Sequence, residues 1–260
     1  MAYCLSNSVK IYYAIHGDGS PIVLLHGFSS SFERNWLSLG WVDFLTARGF
    51  QVIGLDARGH GTSDKPAQPE AYTTEMMSLD VLNLLDHLQL GPVGLFGFSM
   101  GGGIALHLAM TETRVVQRVA VCGVGDAAIC GHHDPQQLAE IEFALTTEDP
   151  TAPMTPVGRQ FRALVDAPGN DMRVLAAFMQ GAGWPGCVEI KQAPLVPVLV
   201  VTAETDEYMP SVAKLMSLLP GAELAVVPGT SHVTVIRDPR CREIVASFLL
   251  GEGLKHSGGR

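Results

Sequence analysis

The chain has 260 residues, 47% apolar and 17% charged, which is enough side chain to bury against the entropy of ordering and excludes a disordered polypeptide. Lysine and arginine total 17 against 26 aspartates and glutamates, a formal net charge of −9 that leaves nucleic acid and acidic membrane surfaces without an electrostatic footprint to bind. Apolar runs such as residues 22–25 and 195–201 fall far below the ~20 residues of a spanning helix, so no membrane partner is expected. The opening MAYCLSNSVK lacks a basic leader followed by an apolar stretch, and the expectation is a cytoplasmic protein.

In chain order, Val9, Ile11, Tyr13 and Ile15 alternate and then meet Gly17-Asp18-Gly19, a strand running into a turn with a hairpin partner expected to follow. Short continuous apolar runs at residues 21–25, 51–55, 93–98, 117–121 and 198–201 predict strands buried on both faces. Between them lie helical patterns. Met77, Val81, Leu84, Leu85 and Leu88 form one apolar stripe, and further helices are expected at residues 36–48, 100–110, 211–218 and 239–249. Strands alternating with helices call for an α/β domain with a mostly parallel sheet covered on both faces. Residues 125–192 depart from the alternation: three helical segments, at 135–147, 155–166 and 171–181, replace the strands and form a candidate lid. The expected organisation is a core of residues 1–124 and 193–250, a lid of residues 125–192 and a frayed tail of residues 251–260.

Five scattered cysteines, none in a C-x-x-C pair, suggest free thiols and neither a disulfide framework nor a thiolate metal site. His132, His133 and Asp134 are adjacent in a loop leading into a helix, where sequence neighbours rarely point at one ion. No metal site is expected.

Two motifs carry chemistry. Gly97-Phe98-Ser99-Met100-Gly101 follows a strand and opens an apolar helix; a serine between glycines at that junction is forced onto a sharp turn, its hydroxyl outside the sheet at a helix N-terminus. His26-Gly27-Phe28 follows the strand at residues 22–25, where a backbone N–H opposed to that of the residue after the nucleophile would hold an oxyanion, which makes the amides of Phe28 and Met100 the candidate donors. His26 itself reads as a residue that ties the loop down.

The order of these motifs, with Asp56-Ala57-Arg58-Gly59-His60-Gly61-Thr62-Ser63 between them and acids and histidines late in the chain, resembles the α/β-hydrolase fold family from about Val9 to Leu250. The Asp56–Ser63 stretch shapes a turn, so Arg58 and His60 are not catalytic candidates. The resemblance implies a triad ordered nucleophile, acid, histidine, which narrows the search to residues after Ser99. Asp206 matches the family's acid position, four residues before Pro210, with Glu204 and Glu207 as competitors and Ala203 in place of the usual glycine. His232, in the loop after the last strand at residues 224–227, matches the base.

The implied chemistry is serine hydrolysis through an acyl-enzyme, with no metal, nucleotide or flavin required. Serine at the elbow disfavours the family's haloalkane dehalogenases and epoxide hydrolases, which use a carboxylate nucleophile. A small or medium hydrophobic ester or lactone is the expected substrate, in a pocket assigned to Phe32, Trp36, Phe143, Phe161, Phe178 and Trp184. Lid arginines Arg159, Arg162 and Arg173 keep open an enol-lactonase or C–C bond hydrolase acting on a carboxylate-bearing substrate. A receptor that retains the triad is the alternative of another class.

Overall fold

A computed structural model describes residues 1–129, 135–147, 149, 152–166, 169–182 and 185–252. Eight strands form one sheet: β1 (Ala2–Ser6), β2 (Val9–His16), β3 (Ser20–Leu25), β4 (Phe50–Leu55), β5 (Val93–Phe98), β6 (Val116–Cys122), β7 (Val198–Thr205) and β8 (Glu223–Ser231), in the order β1-β2-β4-β3-β5-β6-β7-β8. Pairing is parallel from β4 across to β8, and antiparallel where β2 meets β1 and β4.

The apolar runs behave as strands buried on both faces because their side chains alternate between two cores. Val23 and Leu25 join one cluster while Ile22 and Leu24 join the other, and β7 divides Val198 and Val200 from Leu199 and Val201 in the same way. Helices α2 (Thr74–His87), α3 (Met100–Thr111) and α7 (Ala213–Leu218) contribute Met77, Ile104 and Leu215 to the first core. Helices α1 (Trp41–Thr46) and α9 (Pro239–Leu249) close the other face with Trp41, Leu45, Val245 and Phe248. Between β6 and β7 lie α4 (Pro135–Thr146), α5 (Pro156–Val165) and α6 (Met172–Ala182), and a single parallel bridge between Ile129 and Val188 draws the ends of this insertion together.

The first hairpin differs from the sequence expectation. The partner of β2 precedes it: Asn7 and Ser8 both take positive φ, 47° and 66°, the geometry of a tight hairpin turn, and β1 folds back on β2. After Gly17-Asp18-Gly19 the chain instead passes to β3, which lies one strand away with β4 between. The single helix expected at 36–48 is two pieces, a π-helical turn at Glu33–Leu37 and α1, because Gly40 at φ 72° breaks the run. Cys4, Cys122 and Cys241 are free, whereas Cys187 is disulfide-bonded. Free thiols throughout were expected because sequence spacing does not reveal that the two ends of the insertion meet.

Candidate active site

Ser99 sits between β5 and α3 with φ 51° and ψ −114°, a conformation that costs a non-glycine residue on the order of 1–3 kcal/mol. Its flanking glycines are required by space. A Cβ on Gly97 would come 2.2 Å from Gly101 O, and one on Gly101 would come 2.1 Å from Leu25 O. The Ser99 amide is anchored to Cys122 O on the neighbouring strand at 2.8 Å. The strained turn therefore presents Oγ beyond the ends of the parallel strands.

β8 ends at Ser231, whose side chain and that of Thr234 form a capping box that starts the short helix α8 (His232–Val235). This places the His232 Nε2 3.1 Å from Ser99 Oγ. On its other side His232 Nδ1 lies 2.8 and 3.0 Å from the two oxygens of Asp206, whose side chain is 1% exposed. Asp206 Oδ1 also accepts the amides of Tyr208 at 3.0 Å and Met209 at 2.8 Å, so the loop after β7 folds back on the carboxylate and fixes it. A carboxylate is an acceptor, so Nδ1 carries the proton and the Nε2 lone pair faces the serine hydroxyl. The competing acids have other partners: Glu204 accepts the Gly229 amide at 2.9 Å, and Glu207 accepts the His232 amide at 3.2 Å.

The loop after β3 carries Phe28. His26 ties this loop down, its Nε2 accepting the Ala57 amide at 3.0 Å and its Nδ1 donating to Gly27 O at 2.8 Å. Burial pushes its pKa down, so it is held neutral. Asn35 Oδ1 accepts the Gly27 amide at 2.8 Å. Neither the Phe28 nor the Met100 amide donates to a protein acceptor among the described residues, and Met100 opens α3, where the helix dipole favours negative charge.

The cavity over Ser99 is walled by Phe28, Phe98, Phe161, Leu164, Tyr208 and Met209, with Val233 and Pro185 at its edge. Of the aromatic residues assigned to the pocket from sequence, Phe161 lines it. Phe32 does not: its ring lies over Gly54 of β4, where a Cβ would come within 1.9 Å of it. Trp36 is fully buried against Trp41 and Phe96 at centroid distances of 5.8 and 4.9 Å. Phe178 stands behind Phe28, 5.1 Å away, and supports it from outside the cavity, while Phe143 is 47% exposed on α4. Trp184, His132 and His133 lie outside the described residues. The wall residues that sequence reasoning missed were within reach of it. Tyr208 and Met209 directly follow the acid, Val233 follows the histidine, and Leu164 sits three residues from Phe161 on the same helix face.

The family model of the alpha/beta hydrolase fold matches residues 20–145. Among solved structures, an N-acyl homoserine lactone degrading enzyme superposes with a TM-score of 0.76 at 27% identity, covering 95% of this chain and 100% of that one. The chain has the α/β-hydrolase fold. The enol-lactonase from Burkholderia xenovorans LB400 shares the fold with a TM-score of 0.72 at 24% identity, covering 96% of this chain and 100% of that one. A soluble epoxide hydrolase of Corynebacterium sp. (strain C12) is 34% identical over 115 residues, 44% of this chain and 38% of that protein. The match to an sn-1-specific diacylglycerol lipase of Danio rerio, also 34% identical, covers 45% of this chain and 35% of the lipase, so these matches span little more than a third of the relatives' length. Among the described residues, no helix is long and apolar enough to cross a membrane and no cluster of His, Cys, Asp or Glu could hold a metal ion.

Proposed function

We propose that this protein is a serine hydrolase that cleaves carboxylic esters or lactones of small to medium size through an acyl-enzyme. The observation that carries the reading is the hydrogen-bonded line from Ser99 Oγ through His232 to Asp206. His232 removes the Ser99 proton as Oγ attacks the carbonyl carbon, and Asp206 holds the imidazole in the tautomer that can accept it. The Phe28 and Met100 amides stabilise the oxyanion, each donor being worth roughly 3–4 kcal/mol at the transition state. His232 then returns the proton to the leaving alcohol, and water, activated by the same imidazole, releases the acid. The insertion acts as a lid, since α5 supplies Phe161 and Leu164 to the cavity wall and is tied to the loop after β3 by the Ser29 Oγ bond to Leu164 O at 3.1 Å.

The apolar walls favour a hydrophobic acyl chain, and similarity to a lactone-degrading enzyme supports lactones as well as open esters. Serine at the elbow sets the chain apart in chemistry from its relative named an epoxide hydrolase, because a hydroxyl nucleophile gives an acyl-enzyme where a carboxylate gives an alkyl ester. The test is steady-state turnover of p-nitrophenyl acetate and butyrate. Sustained turnover is expected, falling by on the order of 10⁴-fold or more in Ser99→Ala. A single stoichiometric burst would indicate a receptor, and near-wild-type activity in Ser99→Ala would overturn the assignment of the nucleophile.

A further inference from the structure

The cavity over Ser99 does not end at Phe28. Phe28, Phe98, Leu164 and Val233 also wall a second chamber, and there Leu39 and Ile236 are joined by Ser29, Ser30, Asn35, Arg34 and Arg237, with no aspartate or glutamate among the lining residues. In a chain of net charge −9, two arginines lining one space without an acid among its lining residues is a local reversal of the overall balance. Neither arginine forms an ion pair with the described residues. Arg34 is fixed by donating from Nη1 to Ser29 O at 3.1 Å, and the acids beside them are engaged elsewhere, Asp238 with Arg240 at 2.7 Å and Glu33 with the Ser38 hydroxyl at 3.1 Å. Asn35 uses its carbonyl on the Gly27 amide, which leaves its NH₂ group as a further donor in the chamber wall.

The arginines that the sequence offered for an anion lie elsewhere. Arg162 pairs with Asp166 at 2.9 Å and donates to Ala144 O and Thr147 O, and with Arg173 it lines a separate groove among α4, α5 and α6. Arg159 donates to Met154 O.

We propose that this chamber is an anion subsite and that the preferred substrates of the hydrolase carry a carboxylate, held by Arg34 and Arg237, on the side of the scissile carbonyl away from the apolar wall. The inference rests on the hydrolase reading. A carbonyl oxygen bound at the Phe28 and Met100 amides lies where the two chambers share Phe28. One arm of the substrate then packs against Phe161, Tyr208 and Met209, and the other reaches the arginines, whose planar forks suit the two oxygens of a carboxylate. Both arginines are exposed, so the attraction is screened by added salt.

The test uses two matched pairs of esters that place the charge on opposite arms: p-nitrophenyl hexanoate against the mono-p-nitrophenyl ester of adipic acid, and methyl 4-acetoxybenzoate against 4-acetoxybenzoate. In one pair the anionic member is expected to have a kcat/KM about tenfold above its neutral partner, and the responding pair identifies the arm. The ratio is expected to fall several-fold in Arg34→Gln and in Arg237→Gln, to unity or below in the double variant, and to shrink with added salt. Because the readout is a ratio within one protein, a general loss of activity cancels. Preference for the neutral ester in both pairs, or a ratio unchanged in the double variant, overturns the subsite. Absence of turnover on all four esters would instead overturn the hydrolase reading, and the subsite with it.

Discussion

Three carboxylates crowd the four residues from Glu204 to Glu207, and each has a different neighbour. Only Asp206 reaches the imidazole, because the Tyr208 and Met209 amides turn the loop onto its Oδ1 and aim Oδ2 at Nδ1. Replacing Asp206 with Asn keeps the shape but substitutes an amide that can donate, so the imidazole loses its preference for the productive tautomer. A loss of roughly 10⁴-fold in kcat is expected for Asp206→Asn on p-nitrophenyl butyrate. Glu204→Gln retains an acceptor for the Gly229 amide and should change kcat less than about threefold. Equal losses in the two variants would mean that the loop as a whole, and not the Asp206 carboxylate, supports activity. The resemblance favours Asp206 by its spacing to Pro210, while Glu204 at the end of β7 and Glu207 in the loop stay competitors by residue type; the two backbone amides that fix Asp206 are visible only in the folded turn.

At the level of elements, the loop after β4 is joined to α2 by a pair that is out of reach of water. Arg58 donates to both oxygens of Asp80 at 2.7 and 2.6 Å and to Ala71 O at 2.9 Å, with both side chains 1% exposed. Removing one partner leaves the other charge buried, so Asp80→Ala is expected to lower unfolding stability by about 3–5 kcal/mol in urea titrations. The surface pair Arg48 and Glu243, 33% and 62% exposed, sets the contrast, and Glu243→Gln should cost no more than about 1 kcal/mol. Comparable losses from the two substitutions would remove the distinction between them. The element pattern also explains what the sequence disclosed. Strands β3 to β7 were legible because burial on both faces writes most of each as a short apolar run, interrupted in β6 by Gln117 and Arg118. β1 was not, because AYCLS at the sheet edge turns only Cys4 and Ser6 inward, too few to show a period. The pocket was the least legible part. An aromatic residue near the nucleophile in sequence can serve either core or cavity, and Phe32 and Trp36 were drawn into the core by Gly54 and by the Trp41–Phe96 stack.

Across the whole molecule, two buried histidines stand where the core, the Phe28 loop and the insertion meet. The His26 and His60 rings are 5.2 Å apart, and His60 contacts both Phe28 at 5.7 Å and Phe178 of α6 at 5.6 Å. Burial is the first cause that lowers both pKa values, that of His60 to about 3, and in His60 the neighbouring His26 acts in the same direction. The unfolded chain therefore binds protons below its ordinary histidine value of about 6.5 that the folded protein refuses, and stability that is complete above that pH is lost as the pH falls. His60 alone should contribute a slope approaching about 1.4 kcal/mol per pH unit below 6.5, continuing toward its folded value near 3, with His26 steepening it. Half-buried His107, also lowered by burial, adds in the same direction. Asp80, whose pKa burial raises, works in the opposite direction at more acid pH, so the histidines are read most cleanly between about pH 7.5 and 5. Urea midpoints across that window should fall steadily, and in His60→Asn the slope should lessen by the contribution of one proton; a flat profile in the unsubstituted protein would mean that these rings protonate without unfolding.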